Sequence, residues 1–225
     1  RQTYREAVNL DPAYAVPLVG LSYTYWMDVI NGWSRSPRKS MKQAAALAQK
    51  ALDLDDSLAD THVLLGNIYL MKGRYQEAMD AGEKALILEP NGADVNALLG
   101  LMLRYLGRPE EAISVLEKAI RLNPIPPAWY LYNMGDAYRL AGLNDKAIAS
   151  FKKALKQNPD HFLAKVYLAA TYGETGREEE GRHVADEVIR INPKFSVELY
   201  AKRLPYRNRD DIKQIIDGLH KAGLE

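Results

Sequence analysis

The 225-residue sequence predicts an all-α fold in which antiparallel helix pairs stack into a solenoid closed by a C-terminal capping helix. Three observations predict it. First, Pro90, Pro124, Pro159 and Pro193 follow one another at intervals of 34, 35 and 34 residues, with Asp56 in the same slot one period earlier and Pro12 ending a partial copy. Second, small residues return at fixed places. Counting from Ala59, Ala93, Ala128 and Phe162, the eighth place holds Gly66, Gly100, Gly135 and Ala169, and the fifteenth holds Gly73, Gly107, Gly142 and Gly176. Third, each half of a period carries apolar residues at helical spacing, as in Arg108 to Asn123, where Ile113, Leu116 and Ile120 share a face with Ala112 and Ala119.

Along the chain, residues 1–12 hold the second helix of a partial repeat. Arg1 stands inside an amphipathic pattern (Tyr4, Ala7, Val8), so the natural N-terminus is expected upstream. Residues 15–56 form a repeat with Leu18, Leu21, Ser22 and Tyr25 on its first helix and Ala44, Ala48 and Ala51 on its second. Nineteen residues separate Tyr25 from Ala44, where nine separate Tyr69 from Ala78, so a ten-residue insert is expected at about 30–40. Regular repeats follow at 59–92, 93–127, 128–161 and 162–195. In each, the fifteenth-place Gly can adopt the left-handed conformation that ends the first helix. The proline slot stops the second. In 196–225 the period lapses: a helix starts at about Ser196, breaks at Pro205 and restarts near Asp210, with Ile212, Ile215, Ile216 and Leu219 on one face suited to an end cap.

These recurring positions resemble the tetratricopeptide repeat (TPR) over nearly the whole chain. The resemblance implies a right-handed superhelix whose first helices line a concave face, with their second, fifth, ninth, twelfth and thirteenth residues pointing into it. The candidate protein-binding residues so implied are Tyr23, Trp26, Asn67, Met71, Arg104, Tyr105, Trp129, Tyr132, Asp136 and Arg139. TPR domains that grip a C-terminal carboxylate do so with Lys and Asn on the first helix of a repeat and further Lys and Arg on later ones. Here the fifth places are Val19, Val63, Ala97, Tyr132 and Val166 and only Asn67 matches, which argues against such a clamp.

Composition narrows the function. Thirty Lys and Arg against 29 Asp and Glu give a net charge of +1, without the basic excess that nucleic acid or an anionic membrane requires. Zero cysteines remove disulfides, thiolate metal sites and a cysteine nucleophile. The longest uncharged stretch, Pro12 to Met27, is short and interrupted by Pro17, so no membrane insertion is expected. No nucleotide-binding, zinc-protease or hydrolase motif occurs, and no catalytic residue, metal ligand or cofactor is predicted. His183, with Glu179 and Glu187 one turn away on each side, has a metal-compatible spacing, but on a face expected to be solvated. The basic group Lys202, Arg203, Arg207 and Arg209 is likewise read as a solvated rim.

The expected partner is therefore a protein or peptide, held on the concave face or at the insert, where Trp33, Arg35 and Arg38 stand in a Gly/Ser/Pro-rich segment. Trp33 is expected to tuck against the first helix pair, the alternative being contact with a partner. The insert with its GWS, the NPIPPAWYLYNMGDAYRLAG stretch, INPKFS and the RLPYRNRDDIKQIIDGLHKAGL tail together resemble the C-terminal TPR regions of bacterial class III adenylate/guanylate cyclases. That resemblance implies a cytoplasmic signalling protein with an N-terminal cyclase domain, none of whose functional residues lie in this chain.

Overall fold

A computed structural model describes residues 1–225 as thirteen helices without a strand, in two compact units, 1–98 and 99–225, divided within α6 (Ala93–Tyr105). Unit 1 comprises α1 (Gln2–Leu10), α2 (Ala15–Ile30), α3 (Pro37–Leu54), α4 (Ala59–Met71), α5 (Tyr75–Leu88) and the first half of α6. Here α1 packs on α2, α2 pairs with α3, α3 packs on α4, and α4 pairs with α5. Unit 2 continues with α7 (Pro109–Leu122), α8 (Ala128–Leu140), α9 (Asn144–Gln157), α10 (Phe162–Glu174), α11 (Glu178–Ile191), α12 (Val197–Ala201) and α13 (Arg209–Lys221).

First and second helices divide the burial unequally. The first helices α4, α8 and α10 have 13 residues each and are buried nearly all round, since each lies between neighbouring helices. The second helices are amphipathic and bury an alanine stripe: Ala44, Ala48, Ala51, Ala78, Ala85, Ala112, Ala119, Ala147 and Ala154 have no exposed surface. Between the halves, Gly73, Gly107, Gly142 and Gly176 take φ of 72°, 74°, 72° and 73°, the left-handed turn the sequence pattern calls for. After three of these turns an Arg pairs with a Glu three residues on, Arg74–Glu77, Arg108–Glu111 and Arg177–Glu180, on the exposed first turn of the second helix. Such surface pairs add little stability, but they hold the helix start where no side chain caps it.

The insert is not a single loop. Its ten extra residues lengthen α2 from the regular 13 to 16 residues, α3 from the regular 14 to 18, and the turn between them to residues 31–36. Ser36 stands at the N-cap and Pro37 at the first helical position, where a missing N–H costs nothing. The run that follows, RKSMKQAAALAQKAL, is rich in good helix formers, so the extra chain is helical at both ends of the turn.

At the C-terminus α13 packs chiefly on α10 and buries Ile212, Ile215 and Leu219 while exposing Lys213, Gln214 and Asp217. The two helices cross at bare backbone. A Cβ on Gly173 would strike the Gly218 carbonyl, and one on Gly218 would strike that of Ala170.

Within unit 2 the eighth-place glycines mark where second helices press on first ones. A Cβ on Gly100 would stand 2.6 Å from Cγ of Leu116, and one on Gly135 would stand 2.6 Å from Cε1 of Phe151. Gly100→Leu is expected to destabilise the protein by about 1–3 kcal/mol through overpacking. A denaturant melt with an unchanged midpoint would contradict the contact.

Candidate functional site

The first helices of unit 2 carry a buried charge cluster. Arg104, near the end of α6, has no exposed surface, and each guanidinium nitrogen is engaged. Its Nε donates to Asn133 Oδ1 at 3.0 Å, Nη1 to the Asp136 carboxylate and to the Tyr206 hydroxyl, and Nη2 to the Tyr132 hydroxyl at 3.0 Å. Arg139 on α8 donates through Nε to Asp136 Oδ1 at 2.9 Å and through Nη1 to Glu174 Oε1 at 3.1 Å. Its Nη2 is buried with no acceptor. Burial opposes the Arg104 charge, but Tyr105, Tyr132, Asp136 and Tyr206 together outweigh it, so this arginine holds its proton more tightly than usual. Glu174 goes the other way. Burial raises its pKa to about 6 despite the pairing with Arg139.

Over this cluster lies the chain between α11 and α13. Phe195 packs on Phe162, Tyr200 on Tyr167, and Tyr206 edge-on to Tyr105 at 4.7 Å. The Tyr206 hydroxyl donates to Asp136 Oδ2 at 2.5 Å and lies 3.1 Å from that of Tyr167, while the Arg207 N–H donates to the Tyr105 carbonyl at 2.8 Å. Val197 N–H donates to the Glu225 carbonyl, tying the start of the segment to the chain end.

Unit 1 has a different first-helix face. A groove of about 500 Å³ is walled by Val16, Val19, Leu58 and Leu98 and carries Tyr23, Asp60, Glu89 and Asp94. The Tyr4 ring closes one side by lying over Gly20. Burial and the Asp94 carboxylate raise the pKa of Asp60. Burial first, then Asp94 and Asp60, raise that of the Tyr23 hydroxyl.

Most of the residues expected to point into the concave face are buried. Trp26, Asn67, Arg104, Tyr105, Tyr132, Asp136 and Arg139 lie inside the packing, whereas Tyr23, Met71 and Trp129 are half-exposed. Trp26 meets Tyr23 at 5.3 Å, and Asn67 turns its Nδ2 back to the Val63 carbonyl. In unit 2 the reason is the segment 195–208, an occupant that the repeat pattern cannot announce. Trp33, expected to tuck inward, is instead 71% exposed. The turn closes on itself through Trp33 and Ser34 N–H bonds to the Asp28 carbonyl, which leaves the indole outside with exposed Arg35 and Arg38.

The remaining polar candidates have structural partners or stand in solvent. His161 caps α10, its Nδ1 accepting the Ala164 N–H at 3.2 Å, and burial lowers its pKa. His62 Nε2 lies 2.7 Å from the Asp56 carbonyl. His183 is exposed, and the Glu187 beside it pairs with Lys165. Lys202, Arg203, Arg207 and Arg209 are exposed. No three His, Asp or Glu side chains gather as a metal site, and no helix is long and apolar enough to cross a membrane.

Tetratricopeptide repeat family models match residues 59–91, 93–160 and 138–204, and the chain belongs to that family. Among solved structures it resembles YrrB, described as a TPR protein with an unusual peptide-binding site. The two are 28% identical over 89% of this chain and 98% of YrrB, with a TM-score of 0.53. Pseudomonas aeruginosa PilF shares the fold at 22% identity over 91% of this chain and 89% of its own, with a TM-score of 0.65. So does the TPR protein TTC0263 of Thermus thermophilus, at 24% identity over 81% and 98% and a TM-score of 0.64. No curated protein sequence matches the chain.

Two outcomes follow from the charge cluster. Asp136→Asn leaves two buried guanidiniums without their shared carboxylate and is expected to cost about 3–5 kcal/mol in a denaturant titration. Reversing the charges of Arg104 and Arg139 together is expected to unfold unit 2 rather than to spare it. Glu174 supplies a pH test. Its folded pKa lies above the ordinary 4.5, so ionising it costs stability as pH rises from about 4.5 to about 6. Glu174→Gln is then expected to match the wild type near pH 4 and to exceed it by about 2 kcal/mol above pH 6.5. An equal difference at both pH values would contradict the assignment.

Proposed function

We propose that this chain is a non-catalytic interaction module that takes a protein segment in the groove of unit 1, as part of a larger bacterial signalling protein in the cytoplasm. The groove carries the reading. First-helix residues Val16, Val19 and Tyr23 of α2, Asp60 of α4 and Asp94 of α6 face one cavity, and Val16 stands 45% exposed at its wall. An aliphatic wall studded with carboxylates suits an extended or helical segment with Lys or Arg among aliphatic residues. The likeness to YrrB, whose description names a peptide-binding site, supports the same reading.

A second reading rests on the resemblance of the GWS turn and the tail to cyclase-linked repeats: a regulatory or oligomerising region acting in cis on an attached nucleotide cyclase. Removing this region from a cyclase-bearing chain would then change nucleotide cyclisation, and unchanged cyclisation would end that reading.

The groove is tested with labelled twelve-residue peptides of Leu and Lys, and with Leu and Glu as control. The wild type is expected to bind the first set only. Val16→Glu, at a half-exposed position, is expected to leave the melting curve unchanged and to alter binding, and Asp60→Lys to weaken it at least tenfold. Equal binding of both sets, or full binding by a folded Asp60→Lys variant, would remove the groove from consideration.

A further inference from the structure

The segment 195–208 is laid over the first helices of unit 2 as a bound peptide would be. It presents three aromatic anchors, Phe195, Tyr200 and Tyr206, each against an aromatic residue of a first helix: Phe162, Tyr167 and Tyr105. One backbone donor, Arg207 N–H, meets a first-helix carbonyl, and one side-chain hydroxyl, that of Tyr206, reads Asp136. Its only regular structure is the five-residue α12. Leu199, Lys202, Arg203, Arg207 and Asn208 are exposed along it. We propose that this segment is a resident ligand: the first-helix face of unit 2 is a binding site for a tyrosine-bearing extended segment, which the chain closes with its own residues until a partner segment of the same chemistry displaces them. This goes beyond the reading of the unit 1 groove and does not depend on it.

Three features make displacement physically accessible. The segment is anchored at both ends by elements with their own packing, α11 on α10 and α13 on α10, so it can swing away without the cap leaving. The charges beneath it remain matched when it goes, because Asp136 keeps both arginines and Arg139 keeps Glu174. The fit of the resident is also incomplete. The buried Arg139 Nη2 finds no acceptor among the resident's groups, so closing the face with this segment leaves one buried donor unsatisfied.

The test uses the whole chain. Hydrogen exchange of the wild-type protein is expected to show the amides of residues 199–204 and 206–208 exchanging at least tenfold faster than those of Leu131 to Ala137 in α8, through an opening that leaves α8, α10 and α13 protected. Exchange of the segment only with global unfolding would overturn the proposal, and this needs no variant. In parallel, a labelled peptide with the sequence FSVELYAKRLPYRN is offered to the wild type and to Tyr206→Ala. Binding at least tenfold tighter to the variant, and lost when the last tyrosine of the peptide is replaced by Phe, is the expected result. A folded Tyr206→Ala variant that ignores the peptide would show that the segment is simply part of the core.

Discussion

How closely two helices approach decides almost everything in this protein. A helix pair cannot bury its apolar surface alone, so each pair depends on its neighbours. The approach is set by the smallest side chains on the facing surfaces. Second helices present alanine stripes, and first helices present a glycine to a large apolar residue opposite, Gly100 to Leu116 and Gly135 to Phe151. Where the last first helix meets the cap, even a methyl group is too large, and Gly173 and Gly218 let the two backbones touch. Close approach brings many weak dispersion contacts into range at once, and a single added carbon forces helices apart.

That dense packing leaves the first helices buried on most sides, which makes any charge on them costly unless it is paired. In unit 2 the pairing runs between successive first helices: Arg104 of α6 to Asp136 of α8, then Arg139 of α8 to Glu174 of α10. Alanine stripes are nearly the same in every repeat and say little about which neighbour belongs where. Hydrogen-bonded charges differ between the two interfaces, Arg104 with Asp136 at one and Arg139 with Glu174 at the other. The stability they add is small once desolvation is counted, and the raised pKa of Glu174 shows desolvation winning at the rim of the cluster.

The helices were legible because their signals are local and repeated. Ala59, Ala128 and Phe162, picked as first residues from the period alone, do begin α4, α8 and α10, and the turn glycines sit at positive φ. The binding face was less legible, since the same positional rule that identified Arg104, Asp136 and Arg139 as facing inward says nothing about what fills the space. Filling is a long-range fact: Tyr206 reaches Asp136 across seventy residues of sequence. Trp33 stays outside for a related reason: an isolated tryptophan in a polar turn buries itself only if a wall is near, and the longer α2 and α3 carry it beyond the turns of regular repeats.

One compositional feature gains a cause from the structure. The chain has 14 tyrosines and three phenylalanines, an imbalance that burial alone does not require. A phenylalanine would fill the same volume at positions 132 and 206, yet Arg104 Nη2 bonds the Tyr132 hydroxyl and Asp136 Oδ2 is met by that of Tyr206. In a core where guanidiniums stand between aromatic rings, each ring must both pack and offer an oxygen, or a buried donor goes unsatisfied. Unit 1 has no arginine at the corresponding inner places, where Tyr23, Trp26, Asn67 and Leu70 stand, and so no buried guanidinium there calls for such an occupant. The same helical repeat therefore carries a face closed around buried charge in one unit and an open groove in the other, and the difference traces to which polar groups the first helices hold rather than to the backbone that presents them.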